Sequence, residues 1–244
     1  MISIICCYNN IMQLNELNNS IDNQNIDVEC EKIFLDNREQ QFKSAAKALN
    51  YGAKRANGEL LLFVHQDIYF KGNNSLKELV DLAHLLKDRD IGGVAGANVN
   101  KGKKQILTNI THSKGYKEYT EYNFEKEYVE TETIDECVII MTKETWKQHP
   151  FDEIICNNWH FYAVEACLYA RLSGGKVYTF DAEINHLSET GTMGVTYFLA
   201  LFRLLKAYKN KCKYIVATTG YWDTGKYGKV IKHMIREARK KFRR

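Results

Sequence analysis

Residues 48–67 read ALNYGAKRANGELLLFVHQD, and a helix, a stop and a strand can be separated within them. The helix begins upstream. From Phe42 to Ala56, Ala45, Leu49, Ala53 and Ala56 recur on one stripe while lysines and Arg55 fall elsewhere. Asn57-Gly58 ends it, glycine being suited to the left-handed position after a helix. Leu60 to Val64 is an unbroken apolar run, too short for a helix and suited to a strand covered on both faces. It runs straight into His65-Gln66-Asp67. A helix feeding a doubly covered strand is the repeating unit of a parallel sheet, and such sheets hold ligands at the carboxyl ends of their strands.

The same alternation extends outward. Ile2 to Cys7 is an apolar run ending at Tyr8-Asn9-Asn10, and after polar sequence Lys32 to Leu35 ends at Asp36-Asn37. Ser75-x-x-Glu78 reads as a capping box opening a helix with Leu76, Leu79, Val80, Ala83 and Leu86 on its apolar face. Ile91 to Ala97 reads as an inner strand, and periodicity weakens from Gly102 to Thr133, a tyrosine-rich stretch expected to form hairpins or a mobile excursion. Cys137 to Met141 and Lys176 to Phe180 read as strands, Lys143 to His149 and Trp159 to Arg171 as helices, and Ile184 to Glu189 carries His186. Helices over Val195 to Lys209 and Lys229 to Phe242 finish the chain. The expectation is an α/β fold with a mainly parallel central sheet flanked by helices. One domain covers 1–225, and a basic amphipathic helix over 226–244 is either part of it or a surface contact.

Composition agrees. In a chain of 244 residues, 45% hydrophobic and 26% charged content suits a globular domain with a sizeable core, and a single proline argues against long linkers. No run approaches the roughly 18–20 apolar residues of a membrane span. The most apolar helix, Val195 to Leu205, is interrupted by Arg203. The N-terminus enters a strand at once, without the charged region of a secretory signal. The cysteines at 6, 7, 30, 137, 156, 167 and 212 form no CxxC pair, which disfavours a zinc ribbon or disulfide framework and points to a reduced, cytoplasmic compartment.

In order, ICCYNN (5–10), IFLDN (33–37) and the 48–67 stretch resemble the glycosyltransferase family 2 pattern. That pattern is a strand ending near Tyr-Asn, a strand ending in Asp, and a helix-to-strand passage reaching the metal-binding DxD element. The resemblance is clear over residues 2–99 and thinner from Ile134 to Thr192. It implies the GT-A fold and transfer of a sugar from a nucleotide-diphosphate sugar, most often UDP-linked, to the hydroxyl of a glycan or lipid-linked acceptor. It further implies Mn2+ or Mg2+ as cofactor, an inverting displacement and a place in polysaccharide biosynthesis. Carried over, Asp36 contacts the base or ribose, Tyr8 and Asn9 line the nucleotide pocket, Asn50 and Gln66 belong to the donor side, and Asp67 binds the metal. The first DxD acid is replaced by His65, a further candidate ligand. This HQD form resembles a bacterial subgroup that also carries Trp159-His160-Phe161-Tyr162 and His186. As in related GT-A enzymes, His186 would be a second metal ligand. Trp159, Tyr162 and Tyr116 to Tyr122 can stack on acceptor sugars, although most such aromatics are core or loop anchors and Trp159 is the exception. Glu189 to Thr192 can close over a diphosphate.

The usual catalytic Asp falls on Ala163, which leaves His160, Glu165, Asp135 and Glu136 as candidate bases. His160 at the helix entrance is favoured over Glu165 inside it. Blander readings stand beside these. Asp67 can be a turn residue, and His186 a hydrogen-bonded histidine without metal. A sugar nucleotidyltransferase would open with a glycine-rich phosphate loop where this chain has Tyr8-Asn9-Asn10, and a non-catalytic nucleotide- or sugar-binding protein would explain the missing acid and base. The net charge is +4, but from Lys226 onward Glu237 is the only acid. Val230, Ile231, Met234, Ile235, Ala238 and Phe242 share a rough face there. That suits an anionic membrane surface, making the protein peripheral on the inner face of the cell membrane, or else a packed helix with a solvated charged side. No nucleic-acid motif is present, and no such partner is expected.

Overall fold

The computed structural model describes residues 1–112, 124–187 and 193–241. The tyrosines within 116–122, the 189–192 loop and Phe242 lie outside them. The order opens β1 (Ile2–Tyr8), α1 (Ile11–Asp22), β2 (Cys30–Asp36), α2 (Ala45–Ala53), β3 (Leu60–Val64), β4 (Ile68–Phe70) and α3 (Ser75–Ala83). Then follow β5 (Ile91–Gly93), β6 (Ala95–Asn100), β7 (Lys103–Thr108), β8 (Thr111–His112), β9 (Tyr128–Glu130), β10 (Thr133–Ile134), β11 (Val138–Thr142) and α4 (Lys143–Gln148). The chain continues with α5 (Tyr162–Leu172), β12 (Val177–Phe180), β13 (Ile184–His186), α6 (Val195–Tyr208), β14 (Tyr214–Ala217), β15 (Gly220–Asp223) and α7 (Gly228–Lys241).

The main sheet runs β2-β1-β3-β11-β5-β12-β9. β2, β1 and β3 are mutually parallel, as are β5 and β12, while β11 and β9 run against their neighbours. Strand alternation explains the two-sided core. Ile4, Leu62 and Val64 face the layer made by Leu14 and Leu17 of α1 and Leu76 and Leu79 of α3. Ile5, Leu61 and Phe63 face α2, α4 and α5 through Ala45, Leu49, Trp146 and Cys167. A third cluster joins Leu168 of α5 to Leu201 and Leu204 of α6, Ile215 of β14 and Val230 of α7. Each fully buried Leu or Ile contributes about 1.5–3 kcal/mol, so these layers dominate the stability.

Several local expectations change. The polar segment after Tyr8 holds a helix, α1, whose Leu14, Leu17 and Ile21 are buried and whose Asn10 side chain accepts from the Met12 and Gln13 amides. Gln24, just past α1, replaces the expected capping box at α3: its Oε1 accepts from the Leu76 amide at 3.0 Å, and Ser75 Oγ turns back to the Lys71 carbonyl. Ile91–Ala97 is divided between β5 of the main sheet and β6 of a small sheet with β10 and β7. Gly58 is required for space and not for a left-handed backbone. A Cβ there would stand 2.7 Å from the Ser3 amide nitrogen.

Candidate active site

The parallel strands β1, β2 and β3 bring their ends to one edge, with Tyr8 opposite Asp36. Because β11 is antiparallel, it starts at that edge, Val138 facing Val64, and so delivers Asp135 and Glu136 there. After β3 the chain turns at His65-Gln66-Asp67 and doubles into β4, which pairs antiparallel with β13. That pairing sets His186 opposite Ile68, and the Leu187 amide donates to the Asp67 carbonyl at 2.8 Å. The result gathers His65, Asp67 and His186, with one ligand atom from each lying within 4.8 Å of the others.

The three are electrostatically linked. His186 Nε2 lies 3.4 Å from Asp67 Oδ1, both side chains largely withdrawn from solvent. Burial alone would lower the His186 pKa, but the Asp67 carboxylate outweighs it and raises it. Burial pushes Asp67 up, and the His186 bond and the two imidazoles bring it below the usual range. His65 is lowered, mainly by burial. Its Nε2 lies 2.9 Å from the Tyr162 hydroxyl, which donates to the Glu136 carbonyl at 3.3 Å. A hydroxyl that gives its one proton to that carbonyl accepts from His65 Nε2–H, which leaves the Nδ1 lone pair for a metal ion. Two imidazole nitrogens and one carboxylate oxygen fit a divalent transition-metal ion better than Mg2+, which prefers oxygen throughout.

Beside this cluster opens a cleft of about 290 Å³ lined by Cys7, Tyr8, Asn9, Asn37, Leu49, His65, Gln66, Asp67, Trp159 and Tyr162, among others. Trp159 is 43% exposed at its rim. Gln66 is committed to shaping this wall. Its Oε1 accepts from the Asn9 and Asn10 amides at 2.8 and 2.9 Å, and its Nε2 donates to Asn9 Oδ1, locking the β1–α1 turn to the β3 end. Asp36 stands at the edge with its carboxylate gripped by Arg38 Nε at 2.9 and 3.0 Å, which holds its pKa far below the usual range. Arg38 and Lys43, with Trp159, border an open extension of the cleft. Sequence reading passed over both cations, because a lone basic residue in a loop carries no spacing signal.

Three expected assignments are corrected. Asn50 does not face the cleft. It is 3% exposed, with Nδ2 on the Phe151 carbonyl and Oδ1 accepting from Trp146 Nε1 and the Phe151 amide. Glu165 is 1% exposed and bonded to His149 Nε2 at 3.0 Å and the Tyr208 hydroxyl at 2.6 Å, a brace between α4, α5 and α6. Tyr162 is 2% exposed, too deep to stack on a sugar, and serves His65 instead.

The remaining base candidates differ in freedom. Asp135 is tied by the Cys137 amide and by Thr218 Oγ1 at 2.6 Å. Glu136 accepts from the Phe161 amide, where Phe161 adopts a left-handed φ of 69° at the start of α5. Burial, then the Asp135 charge, raises the Glu136 pKa to about 8. His160, half-buried with its ring 5.3 Å from Tyr197, is lowered by burial and by His65, so it is neutral at neutral pH.

No curated protein sequence matches this chain. Among solved structures, GalNAc-T7 with UDP, GalNAc and Mn2+ superposes with a TM-score of 0.62 at 10% identity, over 86% of this chain and 48% of that one. S. aureus TarS 1–349 in complex with UDP-GlcNAc superposes with a TM-score of 0.57 at 16% identity, over 86% of this chain and 66% of that one. The chain thus spans about half of the first and just under two thirds of the second. At such identities the likeness concerns the fold, which is the expected GT-A arrangement of a largely parallel sheet with flanking helices. The family described as "Glycosyltransferase like family" matches residues 3–190, which take in the main sheet apart from Ile2 at the start of β1, and the chain belongs to it.

Proposed function

We propose that the chain transfers a sugar from a nucleotide-diphosphate sugar, UDP-linked by preference, to an acceptor hydroxyl on a glycan or lipid-linked substrate. The observation that carries this reading is the His65, Asp67 and His186 cluster at the carboxyl edge, beside a cleft bordered by Tyr8, Asn37 and Trp159. We read His65-Gln66-Asp67 as a variant of the DxD element in which an imidazole replaces the first acid. His65, Asp67 and His186 would hold the ion, and a divalent ion there supplies positive charge for the departing diphosphate. Lys43 adds a cation on the same side, while the charge of Arg38 is taken up by Asp36. Trp159 at the rim offers a face to an acceptor sugar. His160 accepts the acceptor's proton as its oxygen bonds to the anomeric carbon. The carbon–phosphate oxygen bond breaks with its electron pair leaving on the nucleoside diphosphate, a single inverting displacement.

Calorimetry with UDP and a panel of nucleotide sugars, with Mn2+ or with chelator, tests the reading. Nucleotide affinity should depend on metal in the parent and be largely lost in Asp67→Asn. Affinity in chelator equal to that in Mn2+ for both proteins removes the metal role. Metal-dependent binding with neither transfer nor donor hydrolysis makes this a binding protein on the same fold.

A further inference from the structure

We propose that α7 is a docking surface for an anionic lipid bilayer. In sequence Val230, Ile231, Met234 and Ile235 fall together, but the structure divides them. Val230, 2% exposed, and Met234 turn onto the cluster built around α6, and His233 stacks on Phe198 with ring centres 5.1 Å apart. Ile231 and Ile235, one helical turn apart, face outward at 42% and 48% exposure. Lys229, Lys232, Arg236, Arg239 and Lys240 are exposed beside them on the same surface of the helix. The lone acid, Glu237, is taken up by Arg236 Nε at 3.1 Å and Lys240 Nζ at 2.9 Å. Among the described residues no acid pairs with Lys229, Lys232 or Arg239.

Two isoleucines set in a cationic field match a surface that is anionic outside and apolar just beneath, which is the interface of an anionic bilayer. A nucleic-acid backbone would meet the cations but leave the isoleucines without a counterpart. The arrangement also has a direction. Phe202 of α6 meets Tyr227 before α7, and Phe198 meets His233 within it, so α7 runs antiparallel to α6 and back toward its start. There Tyr197 contacts His160 and Phe161. A bilayer gripped by α7 is therefore connected through one helix to the candidate site. The inference rests on α7 alone and stands whether or not the transfer reading does.

The test is sedimentation of the 244-residue chain with phosphatidylcholine vesicles, with and without phosphatidylglycerol, at low and high salt. Binding is expected only with the anionic lipid, weakening as salt screens the cations. Lys232→Gln with Arg239→Gln should lower it about 25-fold, at about fivefold per cation. Ile231→Ser with Ile235→Ser should lower it by about tenfold or more, since each loses its apolar insertion. All four side chains are exposed, so unchanged thermal melting shows that the variants fold. No sedimentation with anionic vesicles at low salt, or equal sedimentation with neutral ones, overturns the proposal. So does binding that persists in both double variants. Binding of duplex DNA that needs Lys232 and Arg239 but not the isoleucines, without vesicle binding, reassigns the face to nucleic acid.

Discussion

His186 makes the clearest residue-level prediction, because a proton and a metal ion compete for the same imidazole. Burial would lower its pKa, yet Asp67 raises it above the ordinary value of about 6.5. Below that raised value the ring is protonated and repels a cation; above it the lone pair is available. Mn2+ affinity measured by calorimetry should therefore fall as pH drops through a point higher than an ordinary histidine would give. His186→Ala should bind weakly at every pH and lose this dependence, and a parent whose affinity is flat between pH 8 and 6 would count against ligation. Tyr162→Phe preserves the packing but removes the acceptor for His65 Nε2–H, so metal affinity should fall by about 10- to 100-fold, as for other loss of ligand-orienting partners. Nitrogen shifts of His65 should show the Nε2–H tautomer in the parent and a mixture in the variant. For His160→Ala, transfer at saturating metal and donor should fall by about 10²–10⁴-fold with donor affinity retained. Loss of that size in Glu136→Gln, with His160→Ala near normal, would move the base to Glu136.

At the scale of elements, Asn50 joins α2 to α4 and the segment after it. Asn50→Ala would strand the Trp146 indole N–H and the Phe151 amide, both buried, each at about 1–3 kcal/mol. A loss of about 2–6 kcal/mol in urea unfolding is expected, with the nucleotide cleft affected only through stability. A change below about 0.5 kcal/mol, the ordinary range for surface substitutions, would show that water takes over these bonds. Gly58→Ala drives a methyl against the Ser3 backbone, which cannot retreat without moving β1. It should cost about 1–3 kcal/mol, in the range of overpacked cores, where an ordinary post-helix residue would tolerate alanine. Glu165 belongs at this scale too. Its carboxylate braces three helices, so Glu165→Gln should lower the melting temperature more than it lowers the rate per folded molecule.

At the scale of the molecule, the residues beyond the family match at 190 are part of what holds the site. Thr218, in the β14–β15 turn, bonds Asp135, and Thr219 bonds the Tyr197 hydroxyl at 2.6 Å, so the segment beyond 190 clamps the edge where β11 begins. Truncation after Lys226 would uncover the α6 surface that Val230 and Met234 occupy. Such a protein is expected to melt earlier and to aggregate, as an exposed apolar helix face implies, whereas the surface double variants of α7 should not. A truncated chain that melts with the parent would show that α7 contributes nothing to packing. No described helix is long and apolar enough to cross a membrane.

Residue order along the chain was enough to read the strand–helix alternation and the polar ends of β1, β2 and β3, while Asp67 and His186 became candidate ligands through the resemblance to glycosyltransferase family 2. These were legible because a doubly covered strand needs an unbroken apolar run, and a strand end needs polar residues where the sheet meets solvent. α1 was not legible, since its burial rests on Leu14, Leu17 and Ile21 within a run of asparagines that propensity reads as loop. Nor were the roles of Asn50, Glu165 and Tyr162, because a polar side chain looks the same in sequence whether it faces a cleft or a buried partner. Asn50 meets Phe151, Glu165 meets Tyr208, and Tyr162 meets His65, each partner at least 43 positions away. Contacts of that length follow from how the layers pack, and no local spacing encodes them. The two faces of α7 divide for the same reason: periodicity marks an apolar stripe, but only the position of α6 settles which half of it is covered.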